Sequence, residues 1–500
     1  MMKLKTILFL GAISLSSCGK DFLNLNPETY VNGETFYKDE SELEQAVTGA
    51  YNVLVDEGRV SLWLFGEMRS DNTTYQNNTT DRGHENREFI DQFLVNATAE
   101  PILLFWQQSY TGISRSNTVL ENLERIQLSE VKNKQFSGEV RFLRAYHYFN
   151  LVRQFGGVPL RLESTKSPTE ALSNGRASVE DIYNIIIEDL SSAAESLKGI
   201  VYSTSDKGRI TEGAARTLLA KVYLTLKKYD EAIVQLRQVV QLGYGLNADY
   251  SKNFNPAFKN GTESIFEIQY LGSNASLFSD FMYRFAPYIS GSAVTGDPQS
   301  PLAVESGWNI PTQDLIDSYE ENDNRFDYSL ALGYKNSEGT TVNVPYVKKY
   351  NYGFVERGRT NVNFPVLRYS DVLLMLAECL NEKGFQSGEA FNLLNQVRQR
   401  AGLKDKTIGN SDPSLSVDNQ QEFRDAIFQE RKIEFAFENQ RWYDLLRTGK
   451  AVTIMNVHGA REKLKATYIP ANAYQLNENK LLLPIPQKEV NLDGLTQNPQ

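Results

Sequence analysis

The stretch Gln421 to Lys450, QEFRDAIFQERKIEFAFENQRWYDLLRTGK, holds neither Pro nor Gly until Gly449 and constrains the rest of the chain more than any other. Phe423, Ala426, Ile427, Ile433 and Phe437 recur at three- and four-residue spacing, the pattern of an amphipathic helix laid on a core. Glu430 falls on that same face, and Glu434, Glu438 and Arg441 form a stripe of charge beside it. Glu438 and Arg441 stand one helical turn apart, which predicts a direct pair. Trp442 and Leu445 resume the apolar face, and Gly449 supplies a left-handed stop after Arg447. Lone charges on a core face are costly, so the pattern predicts a structural ion-pair network of Glu430, Glu434, Glu438 and Arg441. A catalytic carboxylate site is the competing reading, because perturbed carboxylates also occur in active sites.

Such a helix needs a large body to pack against, and the totals allow one: 500 residues, 41% hydrophobic and 23% charged. A net charge of -10 and a pI near 5.2 argue against a phosphate-backbone partner, and no Lys/Arg cluster is interleaved with stacking aromatics. Nucleic acid is therefore not an expected partner. Tyr and Phe number 26 each, and Tyr suits surfaces that are apolar on one side and wet on the other.

The N-terminus reads as an export leader. Lys3 and Lys5 precede an apolar run from Ile7 to Ile13, too short to span a membrane and right for a secretory signal. It ends in Leu15, Ser16, Ser17, Cys18, small residues before a Cys as in a bacterial lipobox, where the Cys thiol receives a lipid. Residues 1–17 are then the leader, Cys18 the lipidation site and 18–40 a polar tether. No other stretch approaches the roughly 20 apolar residues of a transmembrane helix. Cys379, within an apolar run, has no second thiol to pair with once Cys18 is lipidated and reads as a small core residue.

Helical periodicity predicts helices at about Ser41 to Asp56, Ile102 to Arg125 and Lys134 to Gln154. In Ala214 to Gly243, Ala220, Tyr223, Ala232, Leu236 and Val239 take the spacing of the small and bulky positions of a tetratricopeptide repeat. Tyr369 to Gly402 repeats the plan with Ala377, Leu380, Ala390, Leu394 and Val397, and Ala145 and Tyr148 begin another unit. The expected fold is mainly α, a tetratricopeptide-like helix-pair scaffold with irregular loop-rich insertions and a few short strands. Residues 41–500 read as one domain, with scaffold at about 41–57, 102–246 and 368–450 and loop-rich portions at about 58–101 and 247–367. The Asn-, Asp- and Thr-rich region from Gly58 to Ala99 reads as a long surface loop, the kind of segment compact domains keep for function. In the second insertion, Tyr270, Phe278, Phe281, Tyr283, Phe285 and Tyr288 are either core beneath a loop or a partly exposed aromatic platform.

Signals for chemistry are sparse. His84, His147 and His458 lie far apart without zinc spacing, so no metal is expected. The acidic run Asp317 to Asp327 lacks the Gly and alternating ligands of a calcium loop and reads as a solvated turn. Nucleophile-elbow, phosphate-loop and dinucleotide motifs do not occur, and no cofactor is expected. Carboxylate pairs for glycoside hydrolysis are set by the fold and not by sequence spacing, so an outer-membrane glycoside hydrolase stays open as an alternative, as does a structural tetratricopeptide lipoprotein without ligand.

Taken together, these segments resemble the RagB/SusD glycan-binding lipoproteins of Bacteroidetes. The likeness rests on Cys18 followed by DFLNLNPE, on EVRFLRAYHYFNLVRQFGGVPL, GRITEGAARTLLAKVYLTLKKYDEAI, WNIPTQDLIDSYEENDNRFD, FPVLRYSDVLLMLAECLNE with NLLNQVRQRAGL, ERKIEFAFENQRWYDLLRTG, and LLLPIPQKEV with the closing QNP. It implies a SusD-like fold of four helix pairs beneath a glycan-binding irregular portion, no catalysis, and a SusC-like TonB-dependent outer-membrane transporter as partner for nutrient uptake. It also implies a lipid-anchored place on the outer membrane facing the cell exterior, with Lys20 and Asp21 as an export signal. The family's glycan contacts come from the loop after the first helix and from the central insertion. Here those regions hold Arg69, Asp71, Asn72, Tyr75 and Arg82, then Tyr283, Tyr288 and Trp308. Aromatic rings can cover the C–H faces of a sugar while Arg, Asp and Asn bond its hydroxyls.

Overall fold

The computed structural model describes residues 37–80, 82–165, 167, 175–300 and 307–500. Cys18, the leader and the tether up to residue 36 lie outside the described residues. The principal helices are α1 (Glu40–Asp56), α2 (Glu100–Leu123), α3 (Glu130–Phe155), α4 (Val179–Ser196), α5 (Glu212–Thr225), α6 (Tyr229–Val240), α7 (Tyr369–Lys383), α8 (Glu389–Arg400), α9 (Gln420–Glu434), α10 (Arg441–Arg447) and α11 (Ala451–Lys465). Many begin where the sequence offers a capping oxygen. Asp39 accepts from the Glu42 N–H at 3.0 Å, Ser129 from Lys132 at 3.2 Å, Ser178 from Asp181 at 3.0 Å and Asn419 from Glu422 at 3.0 Å.

From α1 to α8 each helix packs on the next, and α9 returns onto α7. The result is the tetratricopeptide-like stack of pairs α1/α2, α3/α4, α5/α6 and α7/α8. Ala220 on α5 and Ala232 on α6, the small repeat positions, are both buried. Where α2 crosses α3, a Cβ at Gly112 would lie 2.0 Å from His147 Nε2, so only glycine admits this approach. Cys379 is buried on α7.

The insertions add short antiparallel strands. Ser264–Ile268 pairs with Phe364–Arg368 through a bulged register, and Thr73–Thr74 pairs with Ile310–Pro311. The second pairing ties the segment after α1 to the central insertion, far along the chain. Of the aromatic run in that insertion, Tyr270, Phe281, Tyr283 and Phe285 are buried, which makes this stretch mainly core. Asp323 is likewise not part of a solvated turn: it is buried and forks Arg325 at 2.7–2.9 Å.

Two further sequence expectations need correcting. The segment after α1 is not a surface loop at its start. The chain continues through wide π-type turns, Glu57–Leu62 and Leu64–Met68, and buries Trp63, Leu64, Phe65 and Met68. Wider turns carry i→i+5 bonding, so an apolar run there does not show a 3.6-residue period.

The second correction concerns Gln421 to Lys450. The helix stops at Glu434, and Phe437 (φ 68°) and Asn439 (φ 61°) take left-handed conformations before α10 begins. What fixes this turn is Glu67, whose carboxylate accepts the N–H groups of Phe437 at 2.8 Å and Asn439 at 2.9 Å. Gly66 leaves room for it, since a Cβ there would meet the Asn439 carbonyl oxygen at 2.6 Å. Glu438 and Arg441 therefore do not pair with each other. Glu438 bonds Lys349 and Arg368, both at 2.8 Å, while Arg441 reaches Asp71.

The charges of α9 find partners throughout the body. Arg325 bonds Glu430 at 2.6 Å and Glu434 at 3.0 Å; Arg398 reaches Glu430 at 3.2 Å. Arg368 links Glu263, Glu434 and Glu438, and Arg400 links Glu263 and Glu434. Burial would push the Glu434 carboxyl up, but Arg400, Arg368 and Arg325 outweigh it and hold the group well below the usual carboxylate range. These acids are bound to a fixed set of guanidinium groups, which is the geometry of internal ties.

Candidate functional site

The strand pair Thr73–Thr74 with Ile310–Pro311 decides what can meet at the surface. It delivers Tyr75 and the following loop to Trp308, aided by the Gln76 N–H donating to the Gly307 carbonyl at 2.7 Å. A column of rings results. Trp63 lies 6.5 Å from Trp308, Trp308 lies 6.1 Å from Tyr75, and Tyr75 lies 6.2 Å from Tyr468, centroid to centroid. The column starts in the core at Trp63 and ends at Tyr468, which is 48% exposed. His84 meets Trp308 edge-on at 6.3 Å, and the Arg87 guanidinium lies 5.6 Å from the Trp308 ring centre.

The residues expected to touch ligand divide into two groups. Tyr75, Trp308, Tyr288 and Arg82 converge on this face, with Arg82 exposed and Tyr288 half-buried. Tyr288 is held by its N–H donating to the Gln76 side-chain oxygen at 2.6 Å and by its hydroxyl 3.2 Å from that of Thr80. Arg82 forks Glu88 at 2.8–2.9 Å and bonds Glu85 at 3.1 Å. Tyr75 is buried, and its hydroxyl accepts from Gln92 at 2.5 Å.

Arg69, Asp71, Asn72 and Tyr283 instead face the interior. Arg69 sits against the rings of Phe93 and Trp442 and donates to the Lys480 carbonyl at 2.6 Å. Asp71 takes a fork from Arg441 and an ammonium from Lys432 at 2.9 Å. Burial favours its neutral form, yet the two cations win and hold its carboxyl far below the usual range. Asn72 donates to Glu67 at 2.8 Å, and Tyr283 donates to Asp297 at 2.9 Å. These four build the floor on which the loop stands.

Gln76, Thr80 and His84 join the face from the same loop, Arg87 from the short helix Glu85–Asp91 that follows it, and Tyr468 from beyond the end of α11. The loop residues share a polar stretch with the expected ones, so their presence was legible. Tyr468 follows KLKAT with no apolar period to single it out. Beneath the rings lies Asp91, wholly buried, accepting from the hydroxyls of Tyr474 at 2.5 Å and Thr74 at 3.0 Å. Burial pushes its carboxyl up to about 7. Among the described residues, no cluster of His, Cys, Asp or Glu is arranged to hold a metal, and no helix is long and apolar enough to cross a membrane. Chemically, the face offers ring surfaces beside hydroxyl, amide and guanidinium groups, which fits a ligand that is apolar on its faces and polar at its edges.

A helical-repeat scaffold carrying a loop-built, aromatic-rich face is the class of protein these features define. The family described as "SusD family" matches residues 328–500, and one described as "Starch-binding associating with outer membrane" matches residues 21–224. SusD-like protein P38 of Formosa agariphila is 27% identical over 481 residues, covering 90% of this chain and 92% of that protein. A laminarin-binding SusD-like protein of known structure superposes with a TM-score of 0.75 at 26% identity, covering 93% of this chain and all of that one (100%). A SusD homologue from Bacteroides thetaiotaomicron gives a TM-score of 0.79 at 24% identity over 95% of this chain and 100% of its own. The chain belongs to the SusD/RagB family.

Proposed function

We propose that this protein is a non-catalytic, cell-surface lipoprotein that captures oligosaccharide or polysaccharide and delivers it to a SusC-like TonB-dependent outer-membrane transporter. The observation that carries the reading is the ring column from Trp63 through Trp308 and Tyr75 to Tyr468, which brings aromatic surface out beside Tyr288, Thr80, Arg82 and Arg87. Tyr288 and Arg82 touch the glycan, Tyr75 and Trp308 back them, and Arg69, Asp71, Asn72 and Tyr283 act from the interior. The laminarin-binding relative and the starch-binding family description support sugar as the ligand class, and the same description supports the outer membrane as the location. In this reading Cys18 carries the lipid, residues 18–40 form the tether and residues 41–500 the single binding domain.

The hydrolase alternative needs an accessible acid with a raised pKa. Asp91 has the raised value but is wholly buried, and the nearby Glu85 and Glu88 are both bonded to Arg82. Binding without bond cleavage is therefore favoured. Isothermal titration of the purified protein against a polysaccharide panel tests the reading. Heat with at least one glycan, reduced by Tyr288→Ala and unaccompanied by new reducing ends, is expected. Absence of heat across the panel, or turnover abolished by a single carboxylate substitution, would overturn it.

A further inference from the structure

Tyr468 lies outside both regions from which the ligand contacts above are drawn. It follows α11, and its ring stays 48% exposed although it packs on Tyr75 at an interplanar angle of 55°. Tyr75 cannot yield beneath it, being pinned by Gln92 at its hydroxyl and by Trp308 at its ring. A rigidly backed ring with a free face is a stacking surface whose ordering cost is already met by the fold.

Burial, then the carboxylates of Asp91, Glu462 and Glu88, push the Tyr468 hydroxyl up to about 12. Glu88 is neutralised by Arg82 and Glu462 by Lys465 at 2.9 Å. Asp91 accepts from Thr74 and Tyr474, and its raised carboxyl keeps a proton up to about pH 7, so below that pH it places no full charge beneath the ring.

We propose that Tyr468 forms a further subsite that stacks on a sugar ring of an extended glycan, beyond the contacts made by Tyr288 and Arg82. This rests on the glycan-binding reading. A long chain reaches both places and a short one only the first. The subsite thus selects for chain length.

Titration calorimetry with short and long fragments of laminarin separates the outcomes. Tyr468→Ala is expected to weaken binding of the long fragment about 3- to 10-fold, the range for one aromatic contact. The short fragment should change by less than about twofold, and Tyr468→Phe, which keeps the ring, should stay within about twofold on both. The far-ultraviolet circular dichroism spectrum of each variant, unchanged at this exposed position, confirms the fold. If the wild type binds and Tyr468→Ala binds every fragment equally well, the subsite is wrong while the glycan-binding reading stands. An equal loss on short and long fragments overturns the selection for chain length. If the wild type gives no heat with these probes or with the wider panel, both readings fall together.

Discussion

Arg441 forks the carboxylate of Asp71 through Nε at 2.7 Å and Nη2 at 3.0 Å, across a sequence separation of 370 residues. The two residues carry opposite expectations from the sequence, Asp71 as a ligand contact and Arg441 as part of a structural network. Their pairing joins the floor of the candidate face to the terminal helices. The network of α9 thus extends under the site and holds it.

Replacing Asp71 with Ala is expected to leave Arg441 and Lys432 buried without their acid, at a cost of about 3 to 5 kcal/mol. Denaturant unfolding measures the loss, and glycan affinity of the folded fraction should remain that of the wild type. A variant of wild-type stability with weakened binding would return Asp71 to the ligand.

The helices were legible because their signals are local. The expected first helix, Ser41 to Asp56, differs by one residue from the observed Glu40–Asp56, since a capping Asp and a 3.6-residue period both act within a few residues. The break in Gln421 to Lys450 was not legible. Phe437 and Asn439 lack any turn motif, and the carboxylate that stabilises their left-handed conformations comes from Glu67, at a sequence separation of 370 residues from Phe437. The site region was legible only as a region. Polar composition marked the loop from Gln76 to Arg87, but the same composition covers Asp71 and Asn72, which turn inward to partners that only the fold supplies. Tyr468 carried no local signal at all.

Glu438 offers a second test of the network. It bonds Lys349 and Arg368, all three buried, so Glu438→Ala strands two cations and should cost about 3 to 5 kcal/mol by chemical denaturation. Binding by the folded fraction should be intact. Lost affinity in a fully folded variant would place this turn in the site.

Asp91 makes stability fall as pH rises. Its folded pKa is raised from 3.8 to about 7, so between these values the folded state holds a proton that the unfolded chain has released. The shift corresponds to about 4 kcal/mol lost by pH 8. Asp91→Asn keeps an oxygen for Tyr474 and Thr74 and removes this titration, while leaving an amide N–H without an acceptor at about 1 to 3 kcal/mol. The variant should therefore be more stable than wild type at pH 8, by about 1 to 3 kcal/mol, and should lose that advantage by pH 4. Because Glu67 is also raised to about 7 by burial, the remaining pH slope should flatten without vanishing. Equal stabilities across the range would mean that Asp91 is not strained when ionised.

The contact between His458 and Asp314 works over a different window. His458 Nδ1 lies 2.7 Å from an Asp314 oxygen, and Arg461 bonds the other. Burial lowers the pKa of His458, but the Asp314 bond, helped by Asp91, Glu462 and Asp71, outweighs it and raises the group above its ordinary 6.5. For Asp314, burial is outweighed by His458 and Arg461, and the carboxyl is held at about 2. A raised base contributes stability that is full below 6.5 and is lost as pH rises through its folded value; a depressed acid contributes above 3.8 and loses it as pH falls toward about 2. The pair should stabilise most between about pH 4 and 6.5. His458→Gln is expected to cost about 1 to 3 kcal/mol in that window, and the difference from wild type should shrink by pH 9. In proton NMR, the His458 ring should titrate above 6.5 and move down in Asp314→Asn. A midpoint below 6.5 in the wild type would show that burial dominates and that the pair carries no charge at neutral pH.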